Sequence, residues 1–168
     1  MEDQTLIKEF FHHMHWADNE LWKVLENSPK AESNDKIMEL LYHIHLVQFL
    51  YLKIWKNEKL EYPKKNEFDS IKQIIKWGKE NYIKFNKFIS DVPESRYIEI
   101  AKIPWTNGLE KKIGKKPEEV SVKETMLQVV FHSSYHRAQI NTKLRKLDLT
   151  PPLFDYIYWL WMGKPTIK

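Results

Sequence analysis

The sequence predicts an all-α protein built as a four-helix bundle, and three observations carry that expectation. Four long segments repeat apolar residues at the i, i+3, i+4, i+7 spacing of a helix with one buried face. Only four glycines occur in 168 residues, too few for the turns of a sandwich, a barrel or a doubly wound sheet. Prolines fall outside the four segments rather than inside them, and capping residues stand at the starts of the second and fourth. The whole chain, residues 1–168, reads as one domain, and 42% apolar content with seven tryptophans supplies material for one core.

The first segment runs from about Gln4 to Asn27, with Leu6, Phe10, Met14 (or His13), Ala17, Leu21 and Leu25 on its apolar stripe, and Ser28-Pro29 closes it. The second begins at an N-cap, Ser33 or Asn34, and carries Ile37, Leu40, Leu41, Ile44, Val47, Leu50 and Ile54 to about Asn57. The third spans about Glu67 to Ser90, with Ile71, Ile74, Ile75, Trp77, Tyr82, Phe85 and Phe88 inward, and ends at Asp91-Val92-Pro93. Between Pro93 and Pro117 the pattern changes. Tyr97 to Ile100 and Leu109 to Ile113 flank Asn107-Gly108, which suits a tight turn, so a small two-stranded hairpin is expected there. The fourth helix opens at Ser121-Val122-Lys123-Glu124, a capping box, and buries Met126, Val129, Val130, Ile140, Leu144 and Leu147 before Pro151-Pro152. A short C-terminal helix is expected from Asp155 to Met162, packed by Tyr158, Trp159 and Trp161.

Composition excludes several functions. Cysteine is absent, so there are no disulfides, thiolate metal sites or cysteine nucleophile, which fits a reducing compartment. Met1-Glu2-Asp3-Gln4 is acidic with no apolar stretch behind it, and no run approaches the roughly 18 apolar residues of a membrane span. A cytoplasmic protein with no membrane partner is expected. The net charge of +4 is almost all lysine, spread along the chain and interleaved with acids, with Arg96, Arg137 and Arg145 the only arginines. That is a solvated surface rather than a nucleic-acid interface. Trp16, Trp22, Trp55, Trp159 and Trp161 exceed what one small core readily hides, which points to a homodimer.

The seven histidines fall in three groups, at 12, 13 and 15, at 43 and 45, and at 132 and 136, each on a different helix. His132 and His136 stand four residues apart, on one helix face about 6 Å apart along the axis. His43 shares a stripe with Leu40, Val47, Leu50 and Ile54. Two helices therefore direct three imidazoles inward, where an unpaired ring nitrogen costs about 1–3 kcal/mol. One divalent metal ion held by His43, His132 and His136 resolves this and leaves a coordination position open, as in catalytic rather than structural sites. An isolated i, i+4 pair is more often incidental, and it is His43 on a second stripe that makes the metal reading competitive. His12, His13 and His15 read as surface or rim residues, with at most one of them, His13, facing the core.

Three stretches give the chain a resemblance to the DinB/YfiT-like family of bacterial damage-inducible, metal-dependent enzymes (not the DNA polymerase sharing the name). His12 to Ala17, reading H-H-M-H-W-A, is close to that family's early aromatic-Trp-Ala stretch. Leu40 to Ile44 resembles its L-x-x-H-I segment, and His132 to Ile140, H-S-S-Y-H-R-A-Q-I, is similar to H-x-x-x-H-R-G-Q-I. Ala138 stands where the family often has glycine, and Gln48 where many relatives carry an acid. The resemblance implies a bundle with a three-histidine site and, in some members, transfer of a low-molecular-weight thiol such as bacillithiol or mycothiol onto an electrophile. A small-molecule substrate and a zinc or nickel ion are then expected, with Gln48, Tyr51, Tyr135, Arg137 and Gln139 as pocket or ligand-supporting residues. The rivals are a metal-dependent hydrolase, for which Asp18, Glu20 and Glu39 are the nearest acids but read as solvated, and a non-enzymatic, stress-linked scaffold.

Overall fold

The structure, a computed structural model, describes residues 2–167. Four long helices form the bundle: α1 (Glu2–Glu26), α3 (Asp35–Trp55), α4 (Ile71–Asp91) and α6 (Val122–Lys146). Three short ones, α2 (Pro29–Glu32), α5 (Glu110–Ile113) and α7 (Tyr156–Trp161), complete the helical set among the described residues. Helices α1 and α3 each pack against both α4 and α6, so α1 and α3 lie diagonally across the bundle.

Local chemistry sets the helix starts. The side chains of Ser28, Asn34, Ser70 and Ser121 each accept from a backbone N–H of the following turn, a contact typically worth about 1 kcal/mol. Asn34, not Ser33, is the cap of α3. At Ser121 the capping box closes in both directions, with Glu124 accepting from the Ser121 N–H. The expected start of the third long helix moves from Glu67 to Ile71, because Lys65–Glu67 is a separate 3₁₀ turn.

Two apolar clusters fill the bundle. One gathers Phe11, Met14, Trp55, Phe85, Met126 and Val129; the other gathers Leu21, Leu25, Ile37, Ile44, Ile75 and Leu144. Between them, in sequence position on every long helix, lie buried polar residues: His15 and Asp18, His45 and Gln48, Asn81, and Ser133 and Arg137. The buried stripe of α1 begins with Ile7 and Phe11 rather than Leu6 and Phe10, and Leu6 is 49% exposed. Phe11 packs on the rings of Trp55 and Phe85, which selects it over its neighbour.

The expected hairpin does not form. Residues 94–113 are two 3₁₀ turns, Glu94–Ile98 and Pro104–Gly108, followed by α5. The β-pairing there is a single antiparallel bridge between Ile100 and Ser121, just before α6. Ile98, Ile100 and Ile113 stay exposed, so no face of a two-stranded sheet is covered. At the C-terminus Trp159 is buried against Trp16 and Phe154, while Trp161 is 72% exposed. Trp16, Trp22, Trp55 and Trp159 are thus hidden by the chain itself, which removes the aromatic surplus as an argument for a second copy. Among the described residues no helix is long and apolar enough to cross a membrane.

Candidate metal centre

His43 projects from α3, and His132 and His136 from successive turns of α6. Their rings meet at one point. The His132 Nε2 lies 3.2 Å from that of His43 and 3.1 Å from that of His136. All three rings are half-buried, at the edge of the bundle rather than in a dry core. Burial, reinforced by the neighbouring histidines, pushes His132 down to about 4, and burial followed by the charge of His136 lowers His43. Both are therefore neutral near pH 7, with lone pairs available.

The tautomer of His136 follows from its partner. A glutamine carbonyl oxygen only accepts, so the His136 Nδ1–H donates to Gln139 Oε1 at 2.9 Å, leaving the Nε2 lone pair facing the other two rings. Three imidazoles arranged this way cannot satisfy one another. The hydrogen on His132 Nε2, if present, serves one neighbour well, and His132 Nδ1 is buried with no partner. A divalent ion with metal–nitrogen distances of about 2.0–2.1 Å and tetrahedral angles needs nitrogens roughly 3.3 Å apart. The two spacings from His132 fit such an ion, the three ligand atoms all lie within 4.8 Å of one another, and this group could hold one.

A cavity of about 670 Å³ opens beside His43 and His136, between α3, α6 and the loop that follows α3. Leu40 and Tyr42 line it, with Glu39 and Gln139 also on its wall. Tyr42 donates to the Pro63 carbonyl at 2.5 Å and so ties that loop to α3.

A model of the DinB family matches residues 1–166. The chain belongs to that family. No curated protein matches it closely enough to add a more specific likeness. As a DinB family member it keeps the expected helical bundle, with the three expected histidines close together.

The five supporting candidates divide. Gln139 holds a triad ring, and Tyr135 meets the His136 ring edge-on at 5.0 Å while remaining exposed. Gln48, Tyr51 and Arg137 belong elsewhere. Tyr51 lines a separate cavity with Ile103 and Trp105, and burial raises its phenol pKa.

Gln48 and Arg137 belong to the buried polar layer. Trp22 Nε1–H donates to His45 Nε2 at 3.1 Å, so His45 carries its hydrogen on Nδ1 and donates to Gln48 Oε1 at 2.9 Å. The Gln48 amide then donates to Asp18 Oδ2 and to Ser133 Oγ. Arg137 closes the chain on Asp18 Oδ1 at 2.7 Å. Arg137 is 0% exposed and Asp18 2%. The solvated position expected for Asp18 is thereby corrected: it is the buried counter-ion of Arg137. His13 faces the core, as the one histidine of its group expected to, but His15 is buried as well, which corrects its surface or rim position. The His13 Nε2–H donates to the Phe154 carbonyl, and His15 lies among Phe11, Tyr82 and Phe85.

Spacing alone hid this layer because its partners lie far apart in sequence. One sign was present: Arg137 is one of only three arginines in a lysine-rich chain, and arginine is the cation suited to burial. The layer also explains how the triad is held. Ser133 follows His132, Arg137 follows His136 and His45 is two residues from His43. On a helix adjacent residues point about 100° apart, so one row anchors α3 and α6 inward while the next presents the triad at the edge.

Proposed function

We propose that His43, His132 and His136 hold one divalent metal ion, zinc or nickel, and that the protein is an enzyme that moves a low-molecular-weight thiol onto an electrophile. The convergence of three Nε2 atoms beside a 670 Å³ cavity carries the metal reading. Family membership supports the reaction class. Such an ion, when bound, supplies Lewis acidity that lowers the pKa of a coordinated thiol or water.

The residues of the chain prepare the site. Gln139 fixes a His136 hydrogen on Nδ1, and burial favours the neutral form of His43 and His132, which keeps their lone pairs available. Leu40 and the Tyr42 ring give the cavity an apolar wall that excludes water from one side of a bound substrate. With no cysteine in the chain, the reacting sulfur comes from the cosubstrate.

One observation favours a hydrolase instead. Glu39 lies on the cavity wall one turn before His43, where a general base for water would sit. Lys36 lowers the Glu39 pKa through a hydrogen bond and its charge, which makes that carboxylate a weak base. The thiol reading is preferred for that reason.

Titrating Zn²⁺, Ni²⁺ and Mn²⁺ into the metal-free protein and its His136→Ala variant tests the metal step. One equivalent bound by wild type and none by the variant is expected. Absence of stoichiometric binding in wild type rejects both enzyme readings and leaves the scaffold. Loss of a small thiol in the presence of an electrophile, set against ester hydrolysis with Glu39→Gln as control, separates the two reactions.

A further inference from the structure

The cavity beside the triad has a charge pattern that the metal site does not use. Lys36, Lys65 and Lys143 face it against a single acid, Glu39. Lys36 is already committed, bridging Glu39 at 2.9 Å. Lys65 and Lys143 are half-buried, and neither forms an ion pair with a carboxylate among the described residues, although the Lys65 charge is near enough to Glu39 to help lower its pKa. Lys53, also half-buried, lies between Glu58 at 3.6 Å and Glu61 at 3.5 Å. Three lysines against one carboxylate leave this wall with an excess of positive charge, which favours an anion.

Their register adds a length. Lys36 precedes His43 by seven residues, and Lys143 follows His136 by seven. All four residues border the same cavity, so both lysines lie two turns along their helices from the histidines, about 10 Å along the axis. Lys65 approaches from the 3₁₀ turn Lys65–Glu67, in the loop that the Tyr42–Pro63 hydrogen bond ties to α3. The charged end of the cavity is thus set apart from the triad by the length of a small molecule, and a volume of 670 Å³ is ample for one.

We propose that the cavity takes an anionic small molecule whose carboxylate or phosphate is held by Lys65 and Lys143, with its reacting end toward His43 and His136. Only the last clause rests on the triad being the reaction centre; the anion site rests on the lysines. Within the thiol reading, the substrate bound here carries its negative charge at the end remote from the reacting atom.

Calorimetric titration of the metal-free protein with succinate and with inorganic phosphate, at low and high salt, tests this. Expected is saturable binding of at least one of them, weakened by salt, and reduced about tenfold or more in the Lys65→Gln/Lys143→Gln double variant. An exposed-lysine control, Lys84→Gln, should leave it unchanged. Tighter succinate binding assigns a carboxylate ligand, and tighter phosphate binding a phosphate. Failure of both probes to bind, or equal affinity in wild type and double variant, overturns the proposal. Thermal melts of the double variant establish that it is folded. If metal titration fails while lysine-dependent anion binding persists, the enzyme reading falls and the anion site stands; the converse result removes only the anion site.

Discussion

The protein holds two sets of histidines on its bundle helices, and they differ in what their nitrogens face. In the buried set, His45 has both ring nitrogens matched, one to Trp22 and one to Gln48, His13 is bonded to a backbone carbonyl, and His15 Nδ1 alone lacks a partner. In the edge set, His43, His132 and His136 turn three nitrogens toward one another, and one hydrogen among them cannot serve all. The buried set is a structural layer that locks the helices in register. The edge set is chemically incomplete without a further partner. A position on an apolar stripe therefore says little about the role of a histidine, and the groups facing its nitrogens say most.

The largest way to break this contrast is at Arg137. Arg137→Ala leaves the buried Asp18 carboxylate without its cation, and breaking a buried pair from one side costs about 3–5 kcal/mol. A fall of that size in urea-unfolding free energy is expected in metal-free protein. His136→Ala, on the neighbouring residue, should change metal-free stability by far less while abolishing metal binding. Equal destabilisation by the two substitutions would erase the distinction between layer and edge.

A pH dependence sharpens it further. Burial pushes His15 down from its ordinary value of 6.5 to about 3, so the folded protein keeps this ring neutral where the unfolded chain protonates it. Between those two values the unfolded state binds more protons. Stability should rise with pH across that window, by up to about 1.4 kcal/mol per pH unit from this group, and gain nothing more from it above 6.5. His15→Phe should flatten the acid limb of the stability curve while leaving metal binding at neutral pH intact.

What the sequence disclosed followed from local rules. The capping box at Ser121 and Glu124 and the i, i+4 pair at 132 and 136 are short-range patterns, and each appears in the structure where expected. Misreadings came where a local pattern had two solutions or a distant partner. Leu6-Ile7 and Phe10-Phe11 are adjacent apolar doublets, either of which fits a helical stripe; contacts from α3 and α4 chose the second member. Asn107-Gly108 favoured a hairpin, but no sheet or helix covers the flanking isoleucines, so 3₁₀ turns prevail. Asp18 looked solvated because its cation lies 119 residues away. The cavity lysines were lost among the many lysines of the surface, since only the packing of α3 against α6 sets these apart.

A smaller perturbation tests how rigid the buried layer is. Gly78 lies on α4 against the His45 ring, where an added Cβ would come within 2.7 Å of Nε2 and 2.8 Å of Cε1. In an open helix, alanine in place of glycine gains up to about 1 kcal/mol. Here the ring is held at both nitrogens and cannot swing aside without losing Trp22 or Gln48. Overpacking should win, and Gly78→Ala is expected to lose about 1–3 kcal/mol net. A stabilised variant would mean that His45 is free to move.

The edge set admits the finest test, because one of its supports can be removed without touching a ligand. Gln139 accepts from His136 Nδ1 and is half-buried at the cavity mouth, with no described partner in the buried layer. Gln139→Ala should leave metal-free stability within about 0.5 kcal/mol of wild type, as for a substitution outside the core. It should nonetheless weaken metal binding by about 10–100-fold, because the His136 ring loses the contact that fixes its tautomer and orientation. Competition with a chromophoric chelator measures this directly. An unchanged affinity would show that helix geometry alone orients the ring, and that the hydrogen bond to Gln139 is a consequence of that orientation and not its cause.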